Sequence, residues 1–222
     1  MSAANILASL VEGAIVPVVR ASSPEAALQA VEAIANGGIR AAEITMTVPG
    51  AVQVLEKLAG RFGGNMLLGA GTVLDPETAR ACLLAGAEFI VSPSLKPATI
   101  EMAKRYSKPV FPGALTPTEV LAAWEAGADA VKIFPCGNVG GAKYIKALKG
   151  PFPQIEMIPT GGVNLETIGD FLKAGACAVG VGGELVDAKL IKEGRFDAIA
   201  ERARQFLAAV AKARAEMAAA RA

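Results

Sequence analysis

Short runs of apolar, often β-branched residues alternate along the chain with Ala- and Leu-rich segments whose apolar positions recur at three- and four-residue spacing. The runs predict strands at Ile15–Val19, Ala41–Thr45, Met66–Ala70, Glu88–Ser92, Pro109–Pro112, Asp129–Phe134, Ile155–Pro159 and Cys177–Gly182. The segments between them predict helices at Pro24–Ala35, Gly50–Ala59, Pro76–Leu84, Pro97–Tyr106, Pro117–Glu125, Ala142–Leu148 and Leu165–Lys173. Several open with proline behind a polar residue, as in Ser23-Pro24, Asp75-Pro76 and Thr116-Pro117, which is how a capped first turn is written in sequence. Eight strands with intervening helices indicate a parallel sheet, and eight close naturally into a (β/α)8 TIM barrel.

A repeat runs through this pattern. Asn36-Gly37-Gly38, Ala85-Gly86-Ala87, Ala126-Gly127-Ala128 and Ala174-Gly175-Ala176 each fall between a helix end and an even-numbered strand. Glycine there is expected to serve as a left-handed helix stop, in units of roughly 45 residues that each supply two strands. Phe196, Ile199, Ala203, Phe206 and Val210 mark a final amphipathic helix, and the Ala/Arg-rich tail from Ala211 is expected to fray. No stretch reads as a linker, so residues 1–222 are expected to form one domain. Residues 1–13 would be a leading helix over the barrel bottom, and 195–222 the C-terminal helix and tail.

Alternation along the strands sorts side chains by face. Ala130, Lys132 and Phe134 share one face of the sixth strand, Val131 and Ile133 the other. If the β-branched pair meets the helices, Lys132 points into the barrel. Ala41, Glu43 and Thr45 align on the second strand, with Thr47 following. Val16, Val18 and Arg20 align on the first, Leu68, Ala70 and Thr72 on the third, and Ile158 and Thr160 on the seventh. The polar members come late in their strands, at the mouth where barrel active sites form.

Composition narrows the chemistry. A hydrophobic share of 53% with 19% charged residues excludes a disordered chain. A net charge of +1 without a Lys/Arg block argues against nucleic acid or a membrane surface as partner. No apolar run reaches the ~18–20 residues of a membrane span, and no secretory leader is evident. Cys82, Cys136 and Cys177 are odd in number and lack C-x-x-C spacing, which fits a reducing cytoplasm better than a disulfide or zinc site.

Lys132 is the unusual residue. An ammonium in an apolar strand must be paired or kept neutral, and a neutral amine is what Schiff-base chemistry with a ketone requires. A structural Lys132–Glu43 ion pair would satisfy both groups without catalysis and stays open at this point. Pro159-Thr160-Gly161-Gly162 and Val181-Gly182-Gly183 supply glycine turns after the seventh and eighth strands, where a barrel binds phosphate through backbone N–H groups and a short helix's N-terminus. Lys143, Lys146 and Lys149 read as a solvated helix face, Cys136 as a bystander thiol and Trp124 as packing.

The stretches Val16-Pro17-Val18-Val19-Arg20, Glu43-Ile44-Thr45-Met46-Thr47-Val48-Pro49, Gly69-Ala70-Gly71-Thr72-Val73, Phe89-Ile90-Val91-Ser92-Pro93, Val131-Lys132-Ile133-Phe134-Pro135 and Pro159-Thr160-Gly161-Gly162-Val163 resemble the bacterial 2-keto-3-deoxy-6-phosphogluconate (KDPG) / 4-hydroxy-2-oxoglutarate (KHG) aldolase family. They run in order from about residue 14 to 187. The resemblance implies a homotrimeric class I aldolase of the Entner–Doudoroff pathway, cytoplasmic, without metal or other cofactor, acting on a small keto-acid phosphosugar. It implies Lys132 as the Schiff-base lysine and Glu43 as the proton carrier. Arg20, Thr47 and Thr72 would anchor the substrate, Pro93 and Phe134 line the imine pocket, and Thr160 assist binding. Gly161, Gly162, Gly182 and Gly183 would offer amides to the phosphate. Some members of the family carry arginine where this chain has Thr47, and others serine where it has Gly183. A phosphate-binding barrel without covalent chemistry would have no use for Lys132, and a non-catalytic sugar-binding relative none for the Lys132, Glu43 and Thr72 set.

Overall fold

The computed structural model describes residues 1–220. Its strands are β1 (Ile15–Val19), β2 (Ala41–Thr45), β3 (Leu67–Gly71), β4 (Phe89–Val91), β5 in two arms (Val110–Phe111 and Gly113–Ala114), β6 (Val131–Ile133), β7 (Met157–Pro159) and β8 (Val179–Val181). All pair in parallel. The order β5-β4-β3-β2-β1-β8 forms one sheet, and the second arm of β5 continues into β6 and β7. Pro112, which has no N–H to offer a ladder, separates the two arms. A bridge between Thr160 and Gly180 joins β7 to β8 and completes the barrel.

The helices are α1 (Ala3–Gly13), α2 (Pro24–Asn36), α3 (Ala51–Phe62), α4 (Pro76–Leu84), α5 (Pro97–Arg105), α6 (Pro117–Glu125), α7 (Ala142–Lys149), α8 (Ile168–Lys173), α9 (Ala188–Lys192) and α10 (Phe196–Ala219). Ser23, Asp75 and Thr116 cap α2, α4 and α6 by accepting backbone N–H groups three residues on, ahead of the first-turn prolines. The glycine stops behave as the repeat predicts. Gly38, Gly86, Gly127 and Gly175 all have φ between 95° and 99°. At each, the next residue's N–H reaches back to a carbonyl of the helix's last turn, for example Ala87 to Cys82 at 2.9 Å and Ala176 to Phe171 at 3.1 Å.

Two apolar layers hold the barrel. Between strands and helices lie Val19, Ile44, Ile90, Val131, Ile133 and Val179 with Val31, Leu55, Ile100 and Phe206. Inside lie Val16, Ala41, Phe89, Val91, Phe111, Ala130, Ile158 and Ala178, closed from below by Ile6 and Leu10 of α1. The β6 alternation is as expected, with Ala130 inside and Val131 and Ile133 outside.

Four expectations need correction. On β3 the inward residues are Gly69 and Gly71, while Leu68 and Ala70 face the helices. The Phe89 ring and the Glu43 carboxylate occupy the space that side chains at 69 and 71 would take, so only glycine fits there. Several strands are shorter than the apolar runs, because Pro93, Pro109, Pro112 and Pro135 interrupt the ladders. Helix α8 begins at Ile168 rather than Leu165, since Asn164 Oδ1 accepts the N–H groups of Glu166 and Thr167 and holds a turn there. Finally, the tail from Ala211 is helical through Ala219 instead of fraying. Ala213 is buried, the Arg214 guanidinium donates to the Val11 and Glu12 carbonyls at the end of α1 (2.7 Å each), and Lys173 bonds Glu216 at 2.6 Å. Residues 221 and 222 lie outside the described part.

Candidate active site

Glu43 and Lys132 reach the barrel axis from β2 and β6. Their side chains are 3% and 5% exposed, and Lys132 Nζ lies 3.7 Å from Glu43 Oε1. That is too long for a direct hydrogen bond, and Oε1 is fully buried with no hydrogen-bond partner. The pair borders a cavity of about 10 Å³, room for roughly one water. Val16, Val91, Phe111 and Ile158 give it apolar walls, and Thr160 and Gly180 its upper edge. Gly71 leaves the space for the Glu43 carboxylate, and Gly180 for the Thr160 side chain.

Lys132 is held from both neighbours in the sheet. It lies in register with Gly113 and Ile158, and its N–H donates to the Pro112 carbonyl at 2.9 Å. The Phe134 ring centroid is 5.4 Å from Nζ, inside cation–π range. The Pro93 backbone lies so close to Gly113 that a side chain there would overlap it, which sets Pro93 one strand away from Lys132.

The glycine turns expected to hold an anion follow β7 and β8, at the Thr160 and Gly180 edge of this cavity. Gly161 and Gly162 have φ of 91° and 77°. Thr167 Oγ1 donates to the Gly162 carbonyl at 2.9 Å. The loop after β6 lies on this turn: the N–H groups of Cys136 and Gly137 donate to the carbonyls of Thr160 and Gly161 at 2.9 and 3.0 Å. A Cβ on Gly137 would stand 3.0 Å from the Gly162 Cα. Lysine strand and glycine turn are therefore mechanically joined. Among the described residues, the N–H groups of Gly162 and Gly183 donate to no protein acceptor and remain available to an anion.

Arg20, expected to anchor the substrate, has its Nη1 3.3 Å from where a Cβ on Gly182 would stand. It therefore brings positive charge to the glycine turn after β8, and among the described residues no carboxylate pairs with it. The short-helix contribution to anion binding is corrected. Helix α9 follows this turn, but Asp187 already caps its N-terminus by accepting the N–H groups of Lys189 and Leu190, so a carboxylate occupies that position. Thr47 is exposed, with its Oγ1 2.6 Å from Thr45 Oγ1, which in turn donates to the Val19 carbonyl at 3.0 Å. Thr72 sits at the end of β3 with φ 57°, so the strand alternation stops there. Cys136 is buried beside the mouth, and burial pushes its thiol up to about 11, away from reactivity. Among the described residues no cluster of three or more Cys, Asp or Glu side chains has a metal-binding grouping. A cavity of about 310 Å³ lies among Leu10, Arg40, Met66 and Glu88 at the opposite end of the barrel and contains neither Lys132 nor Glu43.

Sequence reasoning placed Thr45 on the inward face with Glu43 but missed the roles of Gly71, Gly180 and Ser92. The i, i+2 spacing of Gly69 and Gly71 within an apolar strand was the available signal, since glycine inside a strand marks a close approach of something larger.

The family model for KDPG and KHG aldolases matches residues 6–202. A 2-dehydro-3-deoxy-phosphogluconate aldolase of Haemophilus influenzae is 34% identical over 91% of this chain and 95% of its own. A 2-dehydro-3-deoxy-6-phosphogalactonate aldolase of Escherichia coli is 37% identical over 78% of this chain and 85% of its own. Among solved structures, a KDPG aldolase of Legionella pneumophila, with pyruvate captured as a covalent carbinolamine intermediate, superposes with a TM-score of 0.83 at 31% identity. It covers 90% of this chain and 96% of its own.

Proposed function

The chain belongs to the KDPG and KHG aldolase family, and we propose that it is a class I aldolase that reversibly cleaves 2-keto-3-deoxy-6-phosphogluconate to pyruvate and glyceraldehyde 3-phosphate. Cleavage of 4-hydroxy-2-oxoglutarate to pyruvate and glyoxylate is a second activity of the same site. The observation that carries the reading is the buried amine 3.7 Å from a carboxylate oxygen that has no hydrogen-bond partner. A structural ion pair at this depth would need direct, fully satisfied hydrogen bonds to offset desolvation. This pair instead lacks a direct hydrogen bond and borders a cavity with room for roughly one water.

Lys132 Nζ adds to the C2 carbonyl of the keto acid, and loss of water from the carbinolamine leaves a protonated imine. Glu43, acting through water, supplies the proton that departs with that hydroxyl and then accepts the proton of the C4 hydroxyl. The C4 oxygen becomes the aldehyde carbonyl as C3–C4 breaks, and the bond's electron pair passes into the imine as an enamine. Protonation at C3 and hydrolysis release pyruvate and restore the amine. Phe134 and Pro93 wall the imine, Thr72, Thr47 and Thr160 hold the substrate, and Arg20 with the amides of Gly161, Gly162, Gly182 and Gly183 receives the phosphate.

The 37% identity to a phosphogalactonate aldolase favours the C4 epimer as a second reading of the substrate. Assembly as a homotrimer and action in the cytoplasm, where the free thiols of Cys82, Cys136 and Cys177 stay reduced, belong to the same proposal.

The test is borohydride reduction in the presence of pyruvate followed by intact mass and peptide mapping. A stable adduct on Lys132 is expected. Folded protein without an adduct would refute the Schiff-base mechanism, and steady-state cleavage of the two phosphorylated epimers and of 4-hydroxy-2-oxoglutarate ranks the substrates.

A further inference from the structure

We propose that Ser92, which none of the catalytic steps above uses, is the positioning residue that holds Thr72 in its substrate-facing conformation. Thr72 is β-branched and sits at φ 57°, in a backbone region that such residues rarely adopt and that persists only when the surroundings over-determine it. Those surroundings are specific. On one side, the Gly71 carbonyl accepts the Met46 N–H at 2.8 Å. On the other, Val73 is gripped twice by the end of β4. Its N–H donates to the Val91 carbonyl at 3.2 Å, and its carbonyl accepts the buried Ser92 hydroxyl. Ser92 is itself fixed by its N–H on the Phe111 carbonyl at 3.2 Å.

The Ser92 hydroxyl is the one side-chain contact in this clamp, and therefore the part a substitution can remove without touching the ladder. It is followed directly by Pro93, whose backbone covers Gly113 next to Lys132. One buried serine thus fixes the turn presenting Thr72 and the entry to the proline wall. The inference rests on the proposed role of Thr72 in holding the keto acid. The Thr72 backbone N–H donates to no backbone carbonyl, so the strained turn leaves it, with the hydroxyl, for a ligand.

The test is a double-mutant cycle read by the pyruvate dependence of imine trapping and by steady-state cleavage. Ser92→Ala is expected to raise the half-saturating pyruvate concentration and the KM about tenfold while changing kcat less than about twofold, the signature of lost positioning in binding. In a Thr72→Ala background the same substitution is expected to have no further effect. An unchanged KM in folded Ser92→Ala, or an equal effect in both backgrounds, would overturn the proposal. Should Ser92→Ala fail to fold, Ser92→Cys, of similar size and a weaker donor, carries the same comparison. The strained turn has its own readout: Thr72→Gly should melt about 2–4 °C above Thr72→Ala, and an equal or lower melting temperature would remove the premise. Wild-type protein that forms no imine with pyruvate would instead sink the aldolase reading itself, a distinct outcome.

Discussion

Gly71 and Glu43 occupy one space: any side chain on Gly71 would overlap the Glu43 carboxylate inside the barrel. Thr45, two residues after Glu43, lies in register with Gly71, and Glu43 with Gly69, so β3 gives up two inward side chains to its neighbours. The Glu43 carboxylate owes its position to an absence on the adjacent strand.

Gly71→Ala should therefore behave as a proton-transfer lesion. A displacement of about 1 Å in a catalytic group can lower turnover roughly a hundredfold, and kcat is expected to fall by that order while borohydride still traps pyruvate on Lys132. Steady-state kinetics beside intact mass checks it. Unchanged kcat would mean that Glu43 does not act from the position seen here.

Lys132→Met should abolish cleavage and also destabilise the fold by about 3–5 kcal/mol, because it leaves Glu43 buried without its cation. Adding Glu43→Gln to that variant should recover most of the loss, since no uncompensated charge then remains. Denaturant melts of the two single variants and the double variant measure this; a double variant less stable than Lys132→Met would count against the pairing.

Gly183 meets open space on every side where a Cβ would stand, and its φ lies outside the left-handed region. Gly183→Ser should fold normally and add a hydroxyl donor for phosphate, lowering KM for the phosphorylated substrate about fivefold, the equivalent of one ordinary hydrogen bond. KM for 4-hydroxy-2-oxoglutarate should not move. Gly137→Ala is the converse: it presses on Gly162, and should raise KM for the phosphorylated substrate alone.

Acid stability is expected to depend on helix caps. Hydrogen bonds from the Thr78 N–H to Asp75, from the Thr116 and Leu115 N–H groups to Glu119, and from the Lys189 N–H to Asp187 hold these carboxyls below their ordinary range. Groups with lowered folded values contribute fully above the unfolded range of about 3.9–4.3 and lose that contribution as pH falls through the folded values. Denaturation midpoints should thus drop on acidification below about pH 4. Glu119→Gln should show a shallower drop than wild type, and an identical slope would remove Glu119 from the explanation.

Much of this was legible in the chain because the signals are local. The two-residue and three-to-four-residue periods mark the strands and helices, and four glycine stops mark the repeat. A lysine among β-branched residues on the sixth strand announces its own cost, and the short motifs around Glu43, Thr72 and Lys132 point to the family. Tertiary structure decided what depends on partners distant in sequence. Leu68 and Gly69 compete for the same inward position, and only the Phe89 ring and the Glu43 carboxylate settle which one faces in. The tail from Ala211 has a weak apolar face of its own and is helical because α1 offers carbonyls to Arg214, α8 offers the Lys173 ammonium to Glu216, and Ala213 finds a buried seat. The 3.7 Å separation of Lys132 from Glu43 is likewise a product of barrel closure: periodicity specifies which way a side chain points along its own strand, whereas the distance between two such side chains is set by how the strands around them are packed.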